Sequence, residues 1–351
     1  SQVYTWGVYR TNPSHGFGGI TGKVELEATG KLYVKDVFIK NQPEPHAIEV
    51  EVRAVNETGA SVTNKELCLE IKEHPNGQTV YRKNVRLESL KEGENLQTYQ
   101  IKVPNAHLWS VDSPRLYDLK ISLNDDAVTE RFGFRWFEIK DVKGDRQFFL
   151  NGKRIVLRTA ISWGFWPYNG ITPSDELAKR QITIAKELGL NMLNFHRNIG
   201  QTNILDYADE LGLLYFEEPG GNQYPIKNFN DNDKQSNFYF AYRNEKLARM
   251  VKRDRNHPSL IIYNLHNERG AYPQTQDYDQ MRMAHALDPT RILTYNSSNG
   301  ENPAEEHNTR FKLHLMPYDT TFYDYGWYDR HHAGGPGCYH DNLYLGKDNY
   351  H

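Results

Sequence analysis

The apolar run SLIIYNL (259–265) stops abruptly at three polar residues, His266, Asn267 and Glu268. A carboxyl group at the end of such a run, with an amide beside it, suits acid–base work on a sugar. The acid protonates a leaving oxygen and the amide hydrogen-bonds a hydroxyl. A bare Asn–Glu pair is elsewhere more often a helix cap beside a surface carboxylate, so its meaning depends on the elements that position it. A second apolar run, LLYFE (213–217), ends in Glu217 and Glu218. Adjacent carboxylates raise one another's pKa or share a cation. Along a strand, however, neighbours face opposite sides, so one Glu inward and one outward is the expected arrangement. The histidines of HHAGGPGCYH (331–340), with Cys338, match no zinc-ligand spacing, and no metal is expected. HGFGGITG (15–22) has neither the spacing nor the strand–turn–helix setting of a phosphate loop.

The whole-chain composition narrows the field. The 351 residues allow two or three domains. Lys and Arg total 42 against 45 Asp and Glu, a net charge of −3, which argues against a nucleic-acid partner. No apolar run approaches the roughly 20 residues of a membrane helix. Cys68 and Cys338 are too few for a disulfide scaffold. The opening SQVYTWGVYR shows no signal peptide; a periplasmic or extracellular setting is compatible with the sequence, and the compartment stays open. Nothing fixes an oligomeric state. Asn56–Glu57–Thr58 and Asn296–Ser297–Ser298 match the glycosylation acceptor pattern, which is common by chance.

The elements that would hold these residues change character near residue 140. Before it, KLYVKDVFI (31–39), AIEVEVRAV (47–55), ELCLEI (66–71), QTYQIKV (97–103), LYDLKISL (116–123) and VTERFGF (128–134) alternate like half-buried strands, separated by turn signals. They predict an immunoglobulin-like β-sandwich over 31–137, a spacer without chemistry of its own. Residues 1–30 are too few for a core, so they read as loop plus one strand, KVELEAT, at the tail of a preceding domain.

After residue 140, strands and helices alternate. A hairpin turns at Asn151–Gly152, and RIVLRT (154–159) is apolar enough for a buried parallel strand. A helix follows, with Thr172 as cap, Pro173 in its first position, Leu177, Ile184 and Leu188 on one face, and Gly189 as stop. NMLNF (191–195) and LLYFE are the next strands, around a helix carrying Ile204, Leu205, Ala208 and Leu211 and ended by Gly212. A helix over 244–254 capped by Asn244, strand SLIIYNL, a helix over 275–287, and strands RILTY (291–295) and KLHLM (312–316) complete the series. Repeated βα units without a dinucleotide fingerprint predict a (β/α)8 TIM barrel over 138–351, truncated after about six strands, and no cofactor. In such a barrel, chemistry sits at the C-terminal ends of the strands, where Glu268 falls. The aromatic load (23 Tyr and 6 Trp) clusters in SWGFWPYNG (162–170) and FYDYGWYD (322–329), on the same face. Sugar faces stack on such rings, so Trp163, Trp166, Tyr325 and Trp327 are candidate platforms; the alternative is that they pack the loops onto the barrel.

The run RNHPSLIIYNLHNE (255–268) closely resembles a motif of glycoside hydrolase family 2, the β-galactosidase, β-glucuronidase and β-mannosidase group, in Asn256, His257, Pro258, Ser259, Leu265, Asn267 and Glu268. FGFR (132–135), FFLNGKRIVLR (148–158), LGLNMLNF (188–195) and YADELGLLYFEEPG (207–220) resemble further family segments in the same order. The resemblance implies that residues 1–30 end a jelly-roll sugar-binding domain and that the chain belongs to a retaining β-glycosidase acting on a carbohydrate substrate of galactoside or glucuronide type. It implies Glu268 as general acid/base and Asn267 as the ligand of the hydroxyl next to the reacting carbon. The resemblance also implies that Tyr318, after the sixth strand, corresponds to the family's tyrosine that contacts the nucleophile, and His196, after the second, to its substrate-facing histidine, at an offset of one residue. The nucleophile of the family is a glutamate ending the seventh strand, and no such glutamate follows Glu306. The alternative is a non-catalytic carbohydrate-binding or scaffold protein derived from the same family. Gly220, Gly221, Asn222 and Gln223 stand where the magnesium-binding β-galactosidases carry Glu and His, so that metal site is not expected. Three departures lie near the pocket: Thr159 for a usual Gly, Asn194 for a usual Arg, and His266 for the usual Gly before Asn–Glu.

Overall fold

The computed structural model describes residues 24–75, 77–143, 145–162, 173–196, 199–220, 234–267 and 275–297, with the short strands at 315–316, 328–330 and 342–344. Seven antiparallel strands come first: β1 (Leu32–Asn41), β2 (Ala47–Asn56), β3 (Val62–Glu73), β4 (Thr79–Leu90), β5 (Gly93–Lys102), β6 (Tyr117–Leu123) and β7 (Asp126–Phe132). They form two sheets, ordered β1-β2-β5 and β4-β3-β6-β7. Alternate residues such as Ile48, Val50, Val52, Leu67, Leu69, Ile71, Leu119 and Ile121 are buried between the sheets. β4 is the strand that the hydrophobic pattern misses. It pairs along β3, but nearly all its side chains are exposed or half-buried, so no apolar alternation marks it. Residues 24–30 form no strand, and Val24 and Leu26 are exposed, contrary to the expectation for KVELEAT. The Asn56 side chain is consumed locally. Its Nδ2 donates to the carbonyls of Ala60 and Leu90, and its Oδ1 accepts from Thr58.

A small meander, β8 (Phe137–Val142), β9 (Asp145–Leu150) and β10 (Lys153–Arg154), leads out of the sandwich. Its two-residue turn at Asn151–Gly152 has positive φ at both positions, the geometry that Asn-Gly favours. Five parallel strands then follow: β11 (Leu157–Ser162), β12 (Met192–Phe195), β13 (Leu214–Glu217), β14 (Leu260–Asn267) and β15 (Ile292–Ser297). Between them run α1 (Asp175–Glu187), α2 (Thr202–Leu211), α3 (Lys234–Asp254) and α4 (Thr275–Leu287). The sixth expected strand is only β16 (Leu315–Met316), and it pairs antiparallel with β15. On the other side of β11 lies an antiparallel pair, β17 (Tyr328–Arg330) and β18 (Asn342–Tyr344). No helix among the described residues is long and apolar enough to cross a membrane.

Two helix details correct the sequence expectation. The cap of α1 is Ser174, whose Oγ accepts from Leu177 N, so Pro173 precedes the helix. The buried face of α1 is Ala178, Ile182 and Ala185, while Ile184 and Leu188 are exposed. The small alanines let the helix sit close to the sheet, which the larger residues would prevent. α3 begins at Lys234, ten residues before the expected Asn244 cap, and its early aromatic residues Phe238 and Tyr242 are exposed, so they make no buried stripe to mark it. The α2 face (Ile204, Leu205, Ala208) and its Gly212 terminus, with φ +75°, agree with expectation.

The apolar layers orient the barrel. Leu193, Phe195, Tyr215, Tyr263, Leu265 and Leu293 face the helices. Leu157, Met192, Leu214, Phe216, Ile262 and Ile292 face the other way and pack at the strands' N-terminal halves with Phe137, Ile139, Phe148 and Leu150 of the meander and Trp109. The meander thus plugs the lower end, leaving the C-terminal ends for chemistry.

The residues leading into β14 bind the sandwich to the barrel. Asn256 Oδ1 accepts from Ile39 N at 3.0 Å, and its Nδ2 donates to Val37 O at 2.9 Å and to Glu130 at 3.0 Å. Arg255 pairs with Asp36 at 2.6 Å and lies over the Phe38 ring. Arg135 reaches the other way, donating to Pro258 O and Leu260 O at 2.9 and 2.8 Å. Asp209, buried on α2, accepts from Ser259 N at 2.9 Å and from His257 Nδ1 at 2.6 Å, and its carbonyl accepts from Trp109 Nε1 at 2.8 Å. Burial alone would lower the His257 imidazole, but Asp209, together with Asp254 and Asp206, outweighs it and lifts the group to about 9. The Asn-His-Pro-Ser segment therefore fixes where β14 starts, and with it the height at which β14 ends.

Candidate active site at the strand ends

The register runs level across the sheet: Ser162 beside Phe195, Phe195 beside Glu217, Glu217 beside Tyr263, Tyr263 beside Leu293. Phe195, Tyr263 and Leu293 belong to the helix-facing layer, so Glu217 shares their outward side. Its Oε1 accepts from Gly200 N at 2.8 Å and stands 3.6 Å from Arg253. Burial pushes the Glu217 carboxyl well above the ordinary range, and Asp254 close by adds to the rise. Glu218, the next residue, turns inward and accepts from Asn264 Nδ2 at 3.2 Å. The two glutamates thus divide between the faces, and neither joins the other in a cation site. Among the described residues, no group of three His, Cys, Asp or Glu could hold a metal ion.

Asn264 lies between Tyr263 and Leu265 and so faces the barrel interior. Thr294 Oγ1 donates to Asn264 Oδ1 at 2.5 Å. Asn194, between Leu193 and Phe195, faces the same way, level with Ile161 and Phe216. His196 follows β12, and its N donates to Ser162 O at 3.1 Å; the residue is buried. Asn194, Glu218, Asn264 and Thr294 therefore make a buried polar floor above the apolar plug. Asn264 and Thr294 are functional candidates that the sequence reading passed over. Their signal was a polar residue inside each of the runs SLIIYNL and RILTY. Of the departures noted above, Thr159 is buried level with Met192, in the lower layer and away from the strand ends.

Asn267 is the last residue of β14, paired in register with Ser297 of β15, and Glu268 is the next residue of the chain. Asn267 thus stands at the C-terminal end of the fourth parallel strand. Glu268 itself, Tyr318, Trp163, Trp166, Tyr325 and Trp327 lie outside the described residues. His266 is fully described: it is buried, with its ring against α3 and α4.

Residues 32–135 match the model of glycosyl hydrolases family 2, and residues 139–330, more than half of the chain, match that family's TIM barrel domain. The chain belongs to glycosyl hydrolases family 2. Family membership gives the architecture its name, a sandwich domain followed by a TIM-barrel domain, as the sequence predicts. Similar curated proteins include a β-galactosidase of Thermoanaerobacter pseudethanolicus, 29% identical over 78% of this chain and 36% of its own length. A second is a putative β-glucuronidase of Formosa agariphila, 28% identical over 78% of this chain and 33% of its own length. Among solved structures, a family 2 glycosyl hydrolase of Bacteroides cellulosilyticus is 25% identical with a TM-score of 0.62, covering 76% of this chain and 35% of that one. The β-glucuronidase of Parabacteroides merdae is 26% identical with a TM-score of 0.57, covering 75% and 33%. The chain thus spans about a third of the length of the relatives it matches.

Proposed function

We propose that the protein is a retaining β-glycoside hydrolase acting on β-galactoside- or β-glucuronide-type substrates, with Glu268 as general acid/base. The observation that carries the reading is Asn267 closing β14, the fourth parallel strand, with Glu268 next in a chain of glycosyl hydrolases family 2. Strand C-termini are where TIM barrels place their catalytic groups. In the first step a carboxylate nucleophile attacks the anomeric carbon while Glu268 protonates the departing glycosidic oxygen. A covalent glycosyl-enzyme forms and the alcohol leaves. In the second step Glu268, now a carboxylate, takes a proton from water as it attacks the same carbon, and the sugar leaves with its original configuration. Asn267 is assigned to the hydroxyl beside the reacting carbon, and Tyr318, His196, Trp163, Trp166 and Trp327 to the walls of the sugar pocket. The nucleophile is assigned to a second glutamate outside the 351 residues, since only Asp supplies carboxylates after Glu306. The relatives' greater length supports that assignment.

The test is to incubate the natively encoded protein with 4-nitrophenyl β-galactoside and β-glucuronide and to follow the first-formed sugar by proton NMR. Turnover of one of them with the β-anomer appearing first is the expected result. Saturable binding of both without turnover replaces this reading with the carbohydrate-binding one, and an α-anomer appearing first removes the double displacement.

A further inference from the structure

The residue before Asn267–Glu268 is held both through its ring and through its carbonyl. The buried His266 ring brings Nε2 within 2.9 Å of Asp277 Oδ1 of α4. Arg243 of α3 lies against the same ring, its Nη2 2.8 Å from Nε2. Arg243 also donates to Gln280 Oε1 at 2.8 Å and stands 3.7 Å from Asp277, and Gln280 in turn donates to Asn244 at 2.8 Å. The His266 carbonyl accepts from Asn264 Nδ2, itself fixed by Glu218 and Thr294. Asp277 and His266 have no side-chain exposure, so these contacts form away from water, where charge-assisted hydrogen bonds are strong and costly to lose. A glycine at this position would keep the carbonyl contact and lose the ring's contacts with Asp277 and Arg243.

We propose that His266 is a positioning residue. Through Asp277 and Arg243 it locks the end of β14 against α3 and α4, and so sets the reach of Glu268 toward the leaving oxygen. This rests on Glu268 being the general acid. A donor displaced by about 1 Å loses on the order of 100-fold in rate. That loss falls where proton donation matters, on glycosides whose leaving group is a poor one. A merely structural contact would lower all substrates together, or lower only the melting temperature.

The experiment measures kcat/KM for a series of aryl β-glycosides of rising leaving-group pKa, on whichever of the galactoside and glucuronide series the natively encoded protein hydrolyses. The variants are His266→Leu, Asp277→Asn, His266→Gln and, as reference, Glu268→Gln. His266→Leu is expected to lose about 10- to 100-fold on phenyl glycosides and less than about 3-fold on dinitrophenyl glycosides. Asp277→Asn, which keeps the shape of the cluster, shows the same tilt at smaller size and carries the test if the leucine variant does not fold. His266→Gln keeps a donor toward Asp277 and returns the wild-type slope. If Glu268→Gln shows the steep leaving-group dependence of an enzyme without its acid while His266→Leu and Asp277→Asn keep the wild-type slope, the clamp is wrong and the site stands. If Glu268→Gln itself keeps the wild-type slope, the assignment of the acid fails, and the clamp with it.

Discussion

Replacing Asp209 with asparagine tests the junction that sets the height of β14. In the folded protein the His257 imidazole is held at about 9 by Asp209, against an ordinary 6.5. At about 1.4 kcal/mol per unit, the pair contributes about 3 kcal/mol of folding stability when the imidazole is charged. The sign follows from linkage. Because the folded-state pKa is raised, the contribution is complete below about pH 6.5 and is lost as pH rises through about 9. The amide oxygen of the Asp209→Asn variant still accepts from Ser259 N but no longer favours an imidazolium, so the main upward pull on the His257 pKa is removed and only Asp254 and Asp206 remain. Urea unfolding followed by circular dichroism between pH 6 and 9.5 measures the difference. The wild type should lose about 3 kcal/mol across that interval relative to Asp209→Asn, and the two curves should converge at the alkaline end. Parallel curves, with the variant offset by a constant amount, would show that the imidazole is neutral throughout and that the junction is not held by charge.

Two further changes probe the same framework. Asn256→Ala removes three hydrogen bonds, two of them to β1 backbone, and should cost about 2–4 kcal/mol in the urea midpoint and speed proteolysis between sandwich and barrel. Gly212→Ala places a Cβ 2.3 Å from Val111 O at a residue with φ +75°, beside the Lys186 ammonium that donates to Val111, Leu211 and Gly212 carbonyls. It should destabilise by about 2 kcal/mol or more, read as a lowered melting temperature, whereas Gly189→Ala, with nothing within 4 Å, should cost less.

Much of this was legible in the sequence because apolar periodicity survives in the layers it builds. The runs NMLNF and SLIIYNL became β12 and β14 nearly residue for residue, and Gly212 ended α2 as its type requires. What periodicity missed had a broken apolar signal: most β4 side chains are exposed or half-buried, only Leu87 and Leu90 being buried, and the aromatic Phe238 and Tyr242 near the start of α3 are exposed. The Asn-His-Pro-Ser segment was legible as a lead-in to the site but not as a junction. Its partners Asp36, Val37 and Ile39 sit more than 200 residues away, and no spacing rule joins them. The same holds for His266, whose partners Arg243 and Asp277 come from two different helices. Glu217 and Glu218 followed the strand alternation, so a rule of local geometry sufficed for them.

The central claim is that Glu268 donates the proton to the leaving group. The direct measurement is kcat/KM of Glu268→Gln against wild type on phenyl and dinitrophenyl glycosides of the preferred sugar. General acid catalysis predicts a loss of about 100- to 10,000-fold on the phenyl glycoside and little on the dinitrophenyl one, whose leaving group departs without a proton. Equal rates for variant and wild type on the phenyl glycoside would contradict the assignment.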